Sequence, residues 1–347
     1  MPKLIKIMVI FLLIVIVSLA VVLCYFFVGY AKVSKDITWG VDFSQMQAEN
    51  LKLDWKKTYT DMIDDLGVKN IKLHTQWDWI EGTKGDYYFG DTDWQVKQAE
   101  DKNVNIIYVV GMKTGRWPEC HIPSWAQNLS EEQQKSEVLK YTKAVVERYK
   151  NSKAIINWQV ENEPLLNFGE CPSWYYKNDS FLREEVSLVK SLDSSRKVIV
   201  SDSGELSWWI NASKVGDILG TTMYRKAWVK VDNNFGLFGS YPGFYGSYPI
   251  PPVYYSRKAS LIKFLFDKKV ICVELQAEPW PLGSIYNVSV QEQEKTMDLN
   301  QFKTNVEYAK KTGLDTFYFW GVEWWQWMKE KQGRPEIWNE AKKIFIN

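Results

Sequence analysis

Eight short apolar, β-branched runs recur between residues 37 and 320, separated by longer stretches of helical period. The runs are Ile37 to Phe43, Asn70 to His74, Val104 to Gly111, Ala154 to Val160, Lys197 to Ser201, Ile218 to Tyr224, Lys269 to Glu274 and Leu314 to Trp320. The clearest helical patterns are Trp55 to Leu66, Asp93 to Lys102, Glu131 to Tyr149, Leu182 to Leu192, Ser256 to Asp267, Glu292 to Lys311 and Pro335 to Phe345. A weaker one follows Gly204. Strict alternation implies a parallel sheet, because parallel neighbours need a crossover between them. Eight such units suit a closed α/β barrel, the (β/α)₈ TIM barrel, better than an open doubly wound sheet. The open sheet would also want G-x-G-x-x-G after its first strand, where Val41-Asp42-Phe43-Ser44-Gln45 stands instead.

Ahead of these units, no residue from Ile7 to Ala31 is charged. As a helix that run would span about 37 Å, against a hydrocarbon thickness of about 30 Å. A cleavable signal peptide has a shorter apolar stretch followed by small residues, and Phe27-Val28-Gly29-Tyr30-Ala31 matches that pattern poorly. The expectation is a single-pass transmembrane signal-anchor over 1–31, a linker over 32–36 and a barrel domain over 37–347. Lys3, Lys6 and the amino terminus outweigh Lys32, Lys35 and Asp36, so the positive-inside bias places the barrel on the extracytoplasmic side of the cell membrane.

The chain carries 43 basic and 42 acidic residues, and beyond residue 35 the acids are in slight excess. Such a domain lacks the charge to neutralise phosphates, which argues against a nucleic-acid partner. Cys120 and Cys171 both fall in loops and leave an optional disulfide open, whereas Cys272 sits in an apolar run. The segment Val231 to Tyr255 is rich in Gly, Pro and aromatic residues; it is expected to form no regular helix and to overhang the mouth of the barrel.

Two strand ends carry acids. Asn157-Trp158-Gln159-Val160-Glu161-Asn162-Glu163-Pro164 brings at least one carboxylate to the carboxyl end of the fourth strand, and Val270-Ile271-Cys272-Val273-Glu274 brings another to the seventh. Barrel active sites lie at that end. Glycosidic cleavage requires such a pair, one group to protonate the leaving oxygen and one to meet the developing oxocarbenium ion.

From Asp36 onward the chain resembles the retaining glycoside hydrolases of clan A, which include cellulase, β-mannanase, β-xylosidase and β-galactosidase families. The matching elements are Asn162-Glu163-Pro164, Tyr224, Glu274 and Trp320-Gly321, with Trp77 to Phe89 similar to a W-x-x-I-E-P-x-x-G-x-Y-x-F signature. The resemblance implies Glu163 as acid/base, Asn162 as ligand to the sugar 2-hydroxyl, Glu274 as nucleophile, Tyr224 as its hydrogen-bond partner and Trp320 as a floor for the sugar. Where those families commonly have Arg, this chain reads Ile71-Lys72-Leu73-His74, which leaves Lys72 and His74 as alternative supports for the nucleophile. Glu278, four residues past Glu274, is a rival for its role.

Ten tryptophans follow strand ends: Trp77, Trp79, Trp117, Trp125, Trp174, Trp228, Trp280, Trp320, Trp324 and Trp325. Indole faces suit the flat C–H faces of sugars, and Trp77 and Trp280 are taken as binding candidates alongside His74 and Glu278. Arg116, Glu119 and His121 are candidate polar walls. With two histidines and neither H-E-x-x-H nor G-x-S-x-G, no metal, cofactor or serine nucleophile is expected. The expected function is a membrane-anchored retaining β-glycosidase acting on a carbohydrate. The competing expectation is a catalytically inactive glycan-binding barrel, an adhesin or receptor.

Overall fold

The computed structural model describes residues 3–229 and 243–346. Its strands are β1 (Thr38–Phe43), β2 (Asn70–His74), β3 (Asn105–Val110), β4 (Ile155–Val160), β5 (Lys197–Asp202), β6 (Ile218–Met223), β7 (Lys226–Val229), β8 (Phe244–Ser247), β9 (Lys269–Gln276) and β10 (Thr316–Trp320). All but β7 and β8 close into one parallel barrel, in the ring order β1-β10-β9-β6-β5-β4-β3-β2. The barrel expectation is thereby borne out. β7 and β8 pair antiparallel outside the ring.

The helices are α1 (Lys3–Phe27), α2 (Gln45–Asn50), α3 (Trp55–Asp64), α4 (Trp77–Ile80), α5 (Gly90–Asp101), α6 (Glu131–Tyr149), α7 (Ser180–Leu192), α8 (Ile210–Ser213), α9 (Pro252–Phe266), α10 (Val290–Glu294), α11 (Leu299–Lys310), α12 (Val322–Lys331) and α13 (Glu336–Ile346). Local chemistry sets several of the starts. Ser130 and Gln133 close a capping box on α6, and Asp54 and Asp298 cap α3 and α11 by accepting from Lys57 and Gln301 N–H. α1 contains one stretch, Ile5–Phe27, long and apolar enough to cross a membrane.

Two apolar layers hold the barrel. A large one lies between strands and helices, and a small one, Ile107, Ile199, Ile218, Ile271, Val273 and Tyr318, plugs the interior. Each fully buried aliphatic side chain contributes roughly 1.5–3 kcal/mol. Above the plug the interior turns polar, with Asp42, Lys72, Gln159, Asn162, Ser201 and Glu274 all buried. Burying so many polar groups is tolerable only where they satisfy one another, which marks this end of the barrel as functional ground.

Three local readings need correction, and one left open is settled. Glu292 to Lys311 is two helices, since Asp298 starts a new one; the intervening Thr296 accepts the Trp280 N–H at 2.9 Å. Trp324 and Trp325 lie in α12, a helix the pattern did not reveal, and are fully buried. Of the segment 231–255, residues 231–242 lie outside the described residues. The rest is not free of helix: Phe244–Ser247 is β8, and Pro252, preset for a first helical turn, opens α9. The Cys120–Cys171 disulfide is formed and ties the loop after β3 to the loop after β4.

Candidate active site

Glu163 leaves β4 on a contorted turn in which Glu161 and Glu163 hold φ of 60° and 44°. Non-glycine residues rarely adopt that region, and where they do the surroundings must enforce it. Glu161 does so from beneath, accepting from the Met112 N–H at 2.8 Å and the Tyr175 hydroxyl at 2.9 Å. The Glu163 N–H donates to Ser201 Oγ at 2.8 Å, and its Oε1 accepts from Thr222 Oγ1 at 3.1 Å. Of the two acids at this strand end, Glu161 is therefore scaffold and Glu163 presents its carboxyl to the mouth, where it is 9% exposed.

Glu274 reaches the same end through a bulge. On β9, Cys272 opposes Thr221 and Phe317, but Glu274 opposes Thr222 and Leu275 opposes Phe319. One extra residue is thus inserted in β9, and the strand's alternation is reset. Ile271 and Val273 fill the interior plug, Leu275 faces the helices, and Glu274 is freed to join the polar mouth.

Glu274 is 2% exposed and held on both oxygens: Lys72 Nζ donates to Oε1 at 2.8 Å and the Tyr224 hydroxyl to Oε2 at 2.9 Å. Lys72, itself fully buried, also pairs with Asp42 at 2.9 Å and lies 3.3 Å from Asn162 Oδ1. Burial opposes its charge, yet the Asp42 and Glu274 carboxylates hold its pKa above the usual lysine value. For Asp42, burial is outweighed by His74 and Lys72, which keep its carboxyl below the usual range. Glu163 is the contrasting case. Burial first, and then the charge of Glu274, push its carboxyl well above the usual carboxylate range.

A cleft of about 430 Å³ opens beside this pair, walled by Trp117, Trp228, Trp280 and Trp320 and by Arg116, Glu119 and Glu278. Glu163 and Glu274 are not among its walls; they lie next to Glu119, whose charge adds to the upward push on Glu163. Burial drives Glu119 itself up to about 7. Trp320 is clamped: Arg116 stacks over its ring at 3.9 Å and its Nε1 donates to Glu278 Oε1 at 2.8 Å. Trp280 stands edge-on to Tyr224 at 4.9 Å.

The structure brings Glu163, Glu274, Asn162, Tyr224, Trp320, Trp280 and Glu278 to one end of the barrel, whereas Trp77 and His74 spend their polar atoms on the protein itself. Trp77 is a core residue, fully buried, with Nε1 donating to Glu81 at 2.7 Å and its ring stacked on Tyr141. His74 has both ring nitrogens engaged, Nε2 with Asp42 at 2.5 Å and Nδ1 with the Thr114 carbonyl, so it offers no polar atom to a ligand. It buttresses Asp42, and Lys72 is the residue that touches Glu274. Glu278 spends Oε1 on Arg116 and Trp320, while its buried Oε2 lacks a protein partner. His121 is buried against the Gly115 carbonyl. Missed in the sequence were Asp42, Ser201, Thr222 and Glu323, which pairs with Arg116 at 3.1 Å. Asp42, an acid inside an apolar strand, was the one with a visible signal.

A family model described as Glycosyl hydrolase family 10 matches residues 31–184, which include β1–β4 and Glu163 and stop before Glu274. Over 175 residues the chain is 29% identical to Beta-galactosidase BgaA of Clostridium cellulovorans, covering 45% of this chain and 26% of that protein. Over 171 residues it is 34% identical to Mannan endo-1,4-beta-mannosidase A of Hypocrea jecorina, covering 45% and 36%. The matches thus span only about a quarter to a third of these curated relatives. Solved structures share the fold at low identity. They include xylanase 10B from Thermotoga petrophila (14% identity, 90% and 95% of the two chains, TM-score 0.55) and the β-galactosidase of Rahnella sp. R3 (12%, 91% and 57%, 0.58). The resemblance to clan A glycoside hydrolases is borne out by these matches together.

Proposed function

We propose that this chain is a retaining β-glycosidase that hydrolyses O-glycosidic bonds by double displacement, with Glu163 as acid/base and Glu274 as nucleophile. What carries the reading is the contrast between the two carboxyls. Glu163 is buried and pushed toward its protonated form, whereas Glu274 accepts on both oxygens, from the Lys72 ammonium at 2.8 Å and the Tyr224 hydroxyl at 2.9 Å. Opposed environments of this kind assign acid and nucleophile.

In the first step Glu274 attacks the anomeric carbon as Glu163 gives its proton to the leaving oxygen, and the C–O bond to the leaving group breaks. The new ester cancels the charge of Glu274, so the electrostatic push on Glu163 falls and its carboxylate becomes a base matched to an incoming water. That water loses a proton to Glu163, its oxygen bonds to the anomeric carbon, and Glu274 departs as carboxylate. Two inversions give net retention. Asn162 would meet the sugar 2-hydroxyl, Trp320 would floor the sugar and Trp280 and Glu278 would line its approach.

In this reading residues 37–347 form the catalytic domain, 32–36 a linker and 1–31 a membrane anchor that leaves the barrel extracytoplasmic. The apolar stretch of α1 and the Cys120–Cys171 disulfide, a bond favoured in oxidising compartments, both support that placement. Turnover of a panel of aryl β-glycosides by the intact chain, beside Glu163→Gln and Glu274→Gln, tests the reading. Turnover that vanishes in both variants sustains it. Sugar binding with equal inertness in all three proteins would establish a glycan-binding barrel instead.

A further inference from the structure

The last turn of α1 docks on the barrel before the chain enters β1. Phe26 packs edge-on against Trp208 at 5.1 Å and Tyr254 at 6.2 Å, Phe27 lies 5.1 Å from Tyr254, and Arg257 covers Tyr25 at 4.6 Å. Phe26 is buried, unlike the exposed residues of α1 before it. Trp208 follows β5, and Tyr254 and Arg257 belong to the first turns of α9. All three therefore sit at the carboxyl end of the strands, where Glu163 and Glu274 lie. From there residues 28–37 descend the flank. The Lys32 carbonyl approaches Gly313, in the turn before β10, so closely that a Cβ there would meet it at 2.8 Å, and β1 then starts at the opposite end.

A membrane-length helix that ends on this rim brings the lipid surface to the side of the barrel bearing the cleft. The rim beside it carries apolar side chains in the open: Leu206 is 68% exposed and Trp208 52%. Tyr25 and Tyr30 flank the helix end. Indole and phenol rings favour the boundary between lipid and water. Within this turn it is Glu205, not the exposed Leu206 or Trp208, that touches the supports of the site. Glu205 accepts the Tyr224 N–H at 2.7 Å, and the Tyr224 hydroxyl donates to Glu274.

We infer that the turn over 203–209 seats the catalytic rim on the bilayer, and that the cleft takes β-glycosides whose aglycone is a lipid embedded in that surface. Leu206 and Trp208 enter the headgroup region next to the end of α1, and the sugar headgroup of a neighbouring glycolipid presents its anomeric bond to the mouth. This rests on the proposed hydrolase and anchor.

The intact chain, reconstituted in phosphatidylcholine vesicles, gives two readouts. Brominated phosphatidylcholine should quench a component of the tryptophan emission that is absent in Trp208→Phe. Combining Trp208→Ala with Leu206→Ser should lower kcat/KM about fivefold or more on a long-chain alkyl β-glycoside embedded in the vesicles. The aryl β-glycoside of the same sugar in solution should be turned over unchanged. Equal quenching in Trp208→Phe overturns the seat, and equal effects on both substrates overturn the lipid-borne substrate. Failure of the unsubstituted protein to cleave any aryl glycoside overturns the hydrolase reading instead, and quenching then decides the seat alone.

Discussion

Lys72 Nζ stands 2.8 Å from Glu274 and 2.9 Å from Asp42, a buried cation on β2 shared by two buried carboxylates, one on β9 and one on β1 of the same barrel. Asp42 and Lys72 are paired in register across β1 and β2, so the triad is fixed by strand alignment rather than by flexible loops. Since His74 tethers the far oxygen of Asp42, the nucleophile candidate is braced through three residues.

Lys72→Met removes the cation and leaves both acids buried without their shared ammonium, Asp42 keeping His74 and Glu274 keeping the Tyr224 hydroxyl. The expected loss is about 3–5 kcal/mol of stability in denaturant unfolding, because an uncompensated buried charge is expensive. Turnover should fall with it. Unfolding unchanged within experimental error would show that the lysine does not neutralise this pair.

Tyr224→Phe deletes one hydrogen bond to Glu274 and keeps the ring against Trp280. Stability should change by about 1 kcal/mol, while kcat drops by about tenfold or more. A variant that raises KM alone would place the hydroxyl on substrate instead.

In the proposed mechanism Glu163 must carry its proton for the first step, and its pKa is raised by burial and by Glu274. Activity is therefore expected to fall as pH rises through that elevated value. In Glu274→Gln, with the neighbouring charge gone, the Glu163 carboxyl should titrate at lower pH by carbon-13 NMR of labelled glutamate. An unmoved titration contradicts the coupling.

Burial raises Glu119 to about 7, so the folded state binds its proton more tightly than the unfolded state does. A group of that sign stabilises fully at low pH and loses its contribution as pH climbs from about 4.5 to about 7. The stability of the protein relative to Glu119→Gln should fall over that window in thermal melts. A pH-independent difference would show that Glu119 is not held protonated.

Most of the fold was legible, and the reasons for the gaps are specific. β2 runs over Asn70–His74 and α6 over Glu131–Tyr149 as their periods and caps required, because in both the local pattern and the tertiary packing agree. α12 was hidden because it buries Glu323 and Gln326 beside Val322, Trp324, Trp325 and Met328, which blurs the apolar stripe, and Trp324 and Trp325 looked like loop aromatics. The same ambiguity misplaced Trp77: spacing after a strand does not tell an indole facing a cleft from one facing a helix. Both glutamates could be located at strand ends, yet which way Glu274 points depends on the extra residue in β9, a register fact with no local signature. Arg116 and Glu323, far apart in sequence, meet only because the barrel closes.

The most direct measurement traps the ester. The intact protein is incubated with 2-deoxy-2-fluoro-β-glycosyl fluorides, whose fluorine slows breakdown of a glycosyl-enzyme, and its peptides are weighed by mass spectrometry. The account expects an adduct on the carboxyl of Glu274, formed with loss of fluoride. An adduct on Glu278, or turnover that inverts the anomeric centre with no adduct at all, would contradict it.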